Sequence, residues 1–280
     1  MTTQDSMIVY RGPSMLDGSP IVMIATGFGG SANGKTGADL VQTYIIRDDL
    51  HPVLASQQGK DVAICGNCKH RGLYEGIGEI AMRVEGSRLC YVNLGQGVTI
   101  VYKTHARGGY AHCPQDKLAD LFEDRLIRMG TYGDPAAVPS HIWLAMLSRS
   151  KGRTGYTHQW QNPAYAWLKA FVMASVDTME ETQAAQAAGW RTFRVAPPVI
   201  WSKESNESLC PASAEGGKVT TCDHCLLCSG TTGKGARHIM IPDHSTQGRA
   251  AKKRAGVVFP EPKQDAKPRG VTFKRNGIAA

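Results

Sequence analysis

Long apolar runs are missing from this chain of 280 residues. Its longest stretches, Ile21 to Ala25 and Ala170 to Val176, are strand-sized, against the ~20 residues a helix needs to cross a bilayer. No spanning helix is therefore expected. Met1-Thr2-Thr3-Gln4-Asp5 lacks the basic and apolar segments of a secretory leader, so a cytoplasmic location is expected. Charged residues make up 20% of the chain and hydrophobic ones 42%, near the averages of soluble globular proteins, which argues against wholesale disorder. No internal repeat is visible. The length allows one large domain or two ordinary ones, and a (βα) barrel takes roughly 250 residues.

Net charge is scarce everywhere but in one place. From Ser245 to Ala280 stand Arg249, Lys252, Lys253, Arg254, Lys263, Lys267, Arg269, Lys274 and Arg275 against Glu261 and Asp265, a net +7 of the chain's +8. With Pro260, Pro262 and Pro268 and no apolar period, this segment reads as a flexible basic tail, 245–280, following a catalytic domain, 1–244. Such an arm attracts phosphate backbones by releasing counterions, and it also solubilises. Arg249, Lys252, Lys253 and Arg254 are its candidate nucleic-acid contacts.

The eight cysteines fall into two groups of four: Cys65, Cys68, Cys90 and Cys113, then Cys210, Cys222, Cys225 and Cys228. In a reducing compartment CxxC spacing points to metal rather than disulfides. Two thiolates three residues apart grip one ion from a tight turn, and a distant pair completes the site. Cys222-Asp-His-Cys225-Leu-Leu-Cys228 is the stronger signal, with Cys210, His224, His238 or His244 as the fourth ligand. His70 and His112 are spare candidates near the first group. Zinc suits both sets, and the same ligands suit an iron–sulfur cluster.

Patterning predicts strands at Pro20–Ala25, Asp61–Ile64, Arg88–Val92, Leu126–Thr131, Thr154–His158, Phe171–Val176, Arg191–Val195 and His238–Ile241. Helices are expected at Ala38–Arg47, Asp116–Phe122, Ser140–Ser148, Ala164–Lys169 and Thr178–Ala188. The last has a capping-box start, Thr178 with Glu181, and Gly189 at its end. The stretch from Phe171 to Val195 is then a βαβ unit. Strands interleaved with helices predict an α/β fold, a (βα)8-like and irregular barrel with Cys-rich metal-binding loops. Cys65, Cys90, Asn93, Asp134, His158, Asp177, Arg194, Asp243 and His244 follow strand ends, where a barrel carries its chemistry.

Gly29-Gly-Ser-Ala-Asn-Gly34-Lys35-Thr36 matches GxxxxGK[ST] between an apolar strand and an expected helix. In that context Lys35 meets phosphates and Thr36 holds magnesium. An ATPase or kinase-like enzyme is one function class this permits, and a backbone-phosphate role for Lys35 is a milder one.

Strand-ending Asp177 lies upstream of Cys222-x2-Cys225-x2-Cys228, with His244 further on. In this order the segment from Leu126 to His244 resembles tRNA-guanine transglycosylases and the related phage and bacterial DNA-guanine transglycosylases. The departures are definite: that family's zinc loop is C-x-C-x2-C, its Gly-rich substrate signatures are absent, and the first cysteine group has no counterpart there. The whole chain also resembles a group of tailed-phage proteins with Cys-rich loops, for which the compartment is the host cytoplasm. The resemblance implies a barrel that exchanges guanine in DNA for a free 7-deazaguanine base beside a zinc site. Asp177 is then the nucleophile at C1′ and Asp134 the acid/base, with Tyr132, Tyr156 or Trp160 stacking on a flipped base. A non-catalytic, metal-stapled nucleic-acid-binding protein is the remaining class.

Overall fold

The computed structural model describes residues 5–30, 36–76 and 80–256. Residues 21–25 form the middle of β2 (Pro20–Thr26), which pairs antiparallel with β1 (Ser6–Pro13) on one side and β3 (Leu40–Arg47) on the other. All five are buried, as befits a strand covered on both faces, where alternation has no purpose. From β3 outward the pairing turns parallel. Next come β7 (Leu126–Tyr132), β8 (Gly152–Thr157), β9 (Met173–Val176), β10 (Thr192–Ala196) and β12 (His238–Pro242), with β11 (Glu207–Leu209) at the edge. At the opposite edge β6 (Ala111–His112) pairs with β1. The result is one ten-stranded, mostly parallel sheet in the order β11-β12-β10-β9-β8-β7-β3-β2-β1-β6. A separate pair, β4 (Tyr74–Glu75) and β5 (Met82–Arg83), stands apart.

Three crossovers cover one face. α5 (Ser140–Leu147) joins β7 to β8, a 3-10 stretch (Pro163–Ala170) joins β8 to β9, and α6 (Met179–Ala187) joins β9 to β10. Their apolar sides, with Trp143, Met146, Leu168 and Ala185, pack on Ile127, Met129, Ala174 and Val176 of the strands in the main core. Removing a buried aromatic of this kind costs about 3–5 kcal/mol. The indole N–H of Trp143 is satisfied by the Pro135 carbonyl at 2.9 Å. A smaller apolar cluster of Met173, Cys210, Ala212, Ile239 and Ile241 lies elsewhere, joined by Tyr156, Phe193, Cys222 and Cys228. Among the described residues no helix is long and apolar enough to cross a membrane.

Several expectations are corrected. The sheet is not closed into a barrel by strand pairing among the described residues. Residues 38–47, expected as a helix, supply β3. Val41, Thr43, Ile45 and Ile46 are β-branched, and pairing with β2 and β7 on both sides overrides the helical pattern. The helix expected after the GxxxxGK[ST] motif is not found among the described residues, where Thr36 leads into a strand instead. Lys35 itself lies outside the described residues. Residues 61–64 contribute to the short helix α2 (Val62–Cys65) instead of a strand, and residues 88–92 form no strand. The chain also contains α1 (Pro52–Gln57), α3 (Thr99–Ala106), α4 (Leu118–Leu121) and α7 (Cys222–Cys225).

The basic tail begins as a folded helix. α8 (Thr246–Arg254) is capped by Ser245, whose Oγ accepts from Gly248 N at 3.0 Å and donates to Asp243 at 2.8 Å. Position 248 has room only for glycine, because a Cβ there would stand 2.6 Å from the Asp243 carbonyl. Lys252 is turned inward: its side chain is 4% exposed and its ammonium pairs with Glu215 at 2.9 Å. That placement removes Lys252 from the candidate nucleic-acid contacts. Arg249, Lys253 and Arg254 remain on the exposed side. The rest of the expected arm, 257–280, lies outside the described residues.

Burial pushes the Glu215 carboxyl up, but hydrogen bonds from His244 and Lys252 outweigh it and hold the pKa at about 2. A carboxylate whose pKa falls on folding stabilises the native state above its unfolded value of ~4.3, and that stabilisation is lost as pH falls through the folded value. Docking of α8 is therefore expected to weaken progressively between about pH 4 and 2. Glu215→Gln is expected to lower the melting temperature at pH 7 and to flatten this acid limb. Amide exchange of α8 against pH, with melting of the variant, checks both.

Candidate functional site

In a parallel sheet alternate residues face the same way, so Arg128, Gly130 and Tyr132 of β7, Thr154 and Tyr156 of β8, and Phe193 and Val195 of β10 share one face. They line a single cavity of about 480 Å³, together with Gln42 and Tyr44 of β3 and Ile239 and Ile241 of β12. The sheet thus curls around this space from β3 to β12. A volume of this size accommodates a drug-sized or nucleotide-sized molecule. Seven of the eight cysteines border it: Cys65, Cys68 and Cys90 from one set, and Cys210, Cys222, Cys225 and Cys228 from the other.

The second set is strapped across the sheet. Asp223, buried inside α7, donates its backbone N–H to the Thr36 carbonyl at 3.0 Å, and its carboxylate accepts from Asp39 N at 3.4 Å. Gly37 makes this approach possible, since a Cβ there would overlap the Asp223 carboxylate at 1.9 Å and its φ is +85°. At the far end of the turn Gly155 N donates to the Cys228 carbonyl at 2.9 Å. Burial pushes the Cys228 thiol well up, with Cys210, Cys222 and Cys225 adding to it, while a hydrogen bond with Tyr156 opposes. Cys210 packs in the same apolar cluster as Cys222 and Cys228. His224 is surface-exposed against Asp223, His238 Nδ1 accepts from Thr192 N at 3.1 Å, and His244 Nε2 is engaged by Glu215 at 2.9 Å.

The first set hangs on a different network. Arg71 donates to Asp61 at 2.7 Å and to the Gly59 and Gly66 carbonyls, which fixes the turn carrying Cys65 and Cys68. Cys90 N donates to the His70 carbonyl at 2.9 Å, tying the third cysteine to the same turn. Burial raises the pKa of all three thiols. Cys113 does not join them. It is buried in the main core beside β6, where its thiol donates to the Pro114 carbonyl at 3.4 Å.

At the C-terminal ends of β8 and β9 lie His158, which lines the cavity, and Asp177, which is not among its lining residues. Asp177 Oδ1 receives His70 Nε2 at 2.8 Å. Asp177 is not needed as a helix cap: Thr178 Oγ1 accepts from Glu181 N, and Glu181 reaches back to Asp177 N at 2.8 Å, leaving the carboxylate aimed at His70. Burial pushes the Asp177 carboxyl up, yet the hydrogen bond and charge of His70, with Lys69 adding to them, hold it below the usual carboxylate range. Burial pushes His70 down, but Asp177 outweighs it and the pKa is raised. His158 is pushed down to about 4 by burial and by the neighbouring His70, and stays neutral at pH 7. Its Nε2 is buried without a hydrogen-bond partner.

Asp134 is engaged by the scaffold. Its carboxylate accepts from Ala136 N, Thr157 Oγ1 and His158 N at 2.8–3.0 Å, and burial raises its pKa to about 6 despite these donors. It ties the end of β7 to the end of β8 and orients His158. Tyr132 and Tyr156 line the cavity, and Tyr156 packs on Phe193 with ring centroids 4.4 Å apart. Trp160 instead donates its indole N–H to the Ser175 carbonyl at 3.1 Å within the main core. Sequence reasoning gave no role to Arg128, whose guanidinium borders the cavity, donates to Tyr91 Oη at 2.9 Å and leaves Nε buried without a partner.

Among the described residues, one group of at least three ligating side chains has its donor atoms all within 4.8 Å of one another: His70, His158 and Asp177. A tetrahedral zinc with bonds of ~2.3 Å holds its sulfurs ~3.8 Å apart, so neither cysteine set is already drawn together around one such ion. A cluster, in which each thiolate binds its own iron, tolerates wider spacing. No family model matches this chain, and comparison with curated proteins and solved structures finds no significant match.

Cys113→Ala is expected to leave the metal content of anaerobically purified protein unchanged, whereas Cys68→Ser and Cys90→Ser lower it. Elemental analysis of the three variants checks the grouping, and metal loss in Cys113→Ala would return Cys113 to the first set.

Proposed function

We propose that this protein is a metal-dependent enzyme that modifies nucleic acid, with the reacting atoms in the curled sheet's cavity. One observation carries the reading: members of both cysteine sets, with His70 and His158, border the same small-molecule-sized space, and Asp177 is grouped with those two histidines. Cysteines that serve only as staples have no reason to converge on a cavity. The cavity wall at Asp243 and His244 leads directly into α8, whose exposed Arg249, Lys253 and Arg254 would serve as phosphate contacts. Arg128 offers a buried guanidinium to a base edge or phosphate, and Tyr132 and Tyr156 offer ring faces. Zinc or an iron–sulfur cluster held by Cys210, Cys222, Cys225 and Cys228 would cross-link the strap to the sheet, and the Cys65, Cys68 and Cys90 set leaves a coordination position open.

A second reading is base exchange in DNA, favoured by an Asp177 carboxylate that is ionised and free of capping duty. The Asp177 oxygen would bond to C1′ as the glycosidic bond to guanine breaks. The departing base would take a proton, and an incoming 7-deazaguanine would lose one while displacing the carboxylate. His70 or His158 suits that proton transfer better than Asp134. An irregular, open (βα)-barrel-like scaffold suits either reading.

Anaerobic purification with zinc and iron analysis, and mass spectrometry of nucleosides from DNA of expressing cells, tests both readings. Metal at or above one per chain with an altered nucleoside is the expected result; metal-free, folded protein would overturn the first reading. Asp177→Asn is expected to fold normally and lose turnover by several orders of magnitude. A covalent DNA adduct trapped by the native chain and absent from Asp177→Asn selects base exchange. Replacing Arg249, Lys253 and Arg254 by Gln is expected to flatten the log–log salt dependence of DNA binding by up to ~0.9 for each phosphate no longer neutralised.

A further inference from the structure

We infer that His70, His158 and Asp177 form a mononuclear site for a divalent first-row metal, distinct from the cysteine sets, with His70 and His158 bordering the cavity. The three donor atoms lie within 4.8 Å of one another, supplied by three separate elements: the 3-10 turn Lys69–Arg71, the end of β8 and the end of β9. Two bonds of ~2.1 Å at a right angle place their donor atoms ~3.0 Å apart. His70 Nε2 and Asp177 Oδ1 stand 2.8 Å apart, close to that cis spacing. His158 supplies the independent sign of a missing partner: it belongs to this group, and its Nε2 is buried and makes no hydrogen bond. A buried, unsatisfied ring nitrogen is destabilising unless something binds it.

The surroundings hold these donors as a metal site requires. Asp134 accepts from the His158 backbone N–H at 2.8 Å, and Glu181 accepts from that of Asp177, so both strand ends are fixed from behind. Two imidazoles and one carboxylate on one side of an ion leave up to three positions for water or substrate. The donor set contains no sulfur, which favours manganese(II), iron(II) or cobalt(II) over the thiophilic ions suited to the cysteines. A metal here would act as a Lewis acid or lower the pKa of a bound water. The inference rests on the metalloenzyme reading for its use in catalysis, whereas the binding itself is tested without substrate.

Manganese(II) is titrated into the full-length protein, carrying whatever metal its cysteines hold, and free ion is read by electron paramagnetic resonance. One manganese per chain is expected. Its dissociation constant should rise at least ~10-fold in His158→Ala and in Asp177→Asn. Cysteine-bound metal and the melting temperature report folding of each variant, and His70→Ala replaces any variant that fails to fold. Cys113→Ala should bind manganese as the native chain does. No stoichiometric binding, or binding indifferent to all three corner residues, overturns the site. If manganese fails to bind while Asp177→Asn still abolishes modification and the cysteine-bound metal is intact, the corner is not a metal site and the cavity reading stands.

Discussion

A parallel sheet has to cover both of its faces, and this requirement shapes the molecule. One face is covered conventionally by α5, α6 and the 3-10 stretch between β8 and β9. The other borders the cavity, whose remaining wall comes from irregular segments: the turn carrying Cys65, Cys68 and His70, residues 89–98, and the strap from 210 to 228. Specific polar anchors hold two of these segments in place: Arg71 with Asp61, and Asp223 with the backbone at Thr36. Metal bonds among cysteines would add folding energy at these two places. Structural sites of this kind supply of order 10 kcal/mol, comparable to the whole stability of a domain.

The environment separates the titrating groups at the strand ends. Asp134 is pushed toward neutrality by burial, while Asp177 is held ionised by His70, although both end adjacent regions of the same sheet. His70 gains proton affinity and His158 loses it, although their rings lie 5.7 Å apart. Opposed shifts among neighbours are the basis of acid–base and ligand assignments. In this corner they divide the labour into one anion, one imidazole that accepts a proton readily, and one that stays neutral.

Much of the architecture is legible in the chain. Strands β7 to β10 and β12 announce themselves by short β-rich runs, and α6 by Thr178, Glu181 and Gly189. The cysteine turn at residues 222–228 is legible because ligand spacing is local. β3 escapes a sequence reading because its pairing partners, not its own pattern, decide its conformation. Cys113 resembles the fourth member of a set because spacing says nothing about which side of a sheet a residue occupies. Asp134 and Asp177 are equivalent in sequence, each ending a strand before a turn; only the donors around them tell scaffold from site. Lys252 counts in sequence as one more tail charge, and its partner Glu215 stands 37 residues away.

The strap has a consequence for how the chain assembles. Asp223 meets the loop after β2 across 184 residues, a contact whose loop-closure entropy is repaid only once the intervening strands are in place. The strap is synthesised after β10, so the strands from β3 to β10 all emerge before this part of the cover. For that interval the side of the sheet that becomes the cavity wall lacks its last boundary, and it gains that boundary only when the turn at residues 222–228 docks against Gly37.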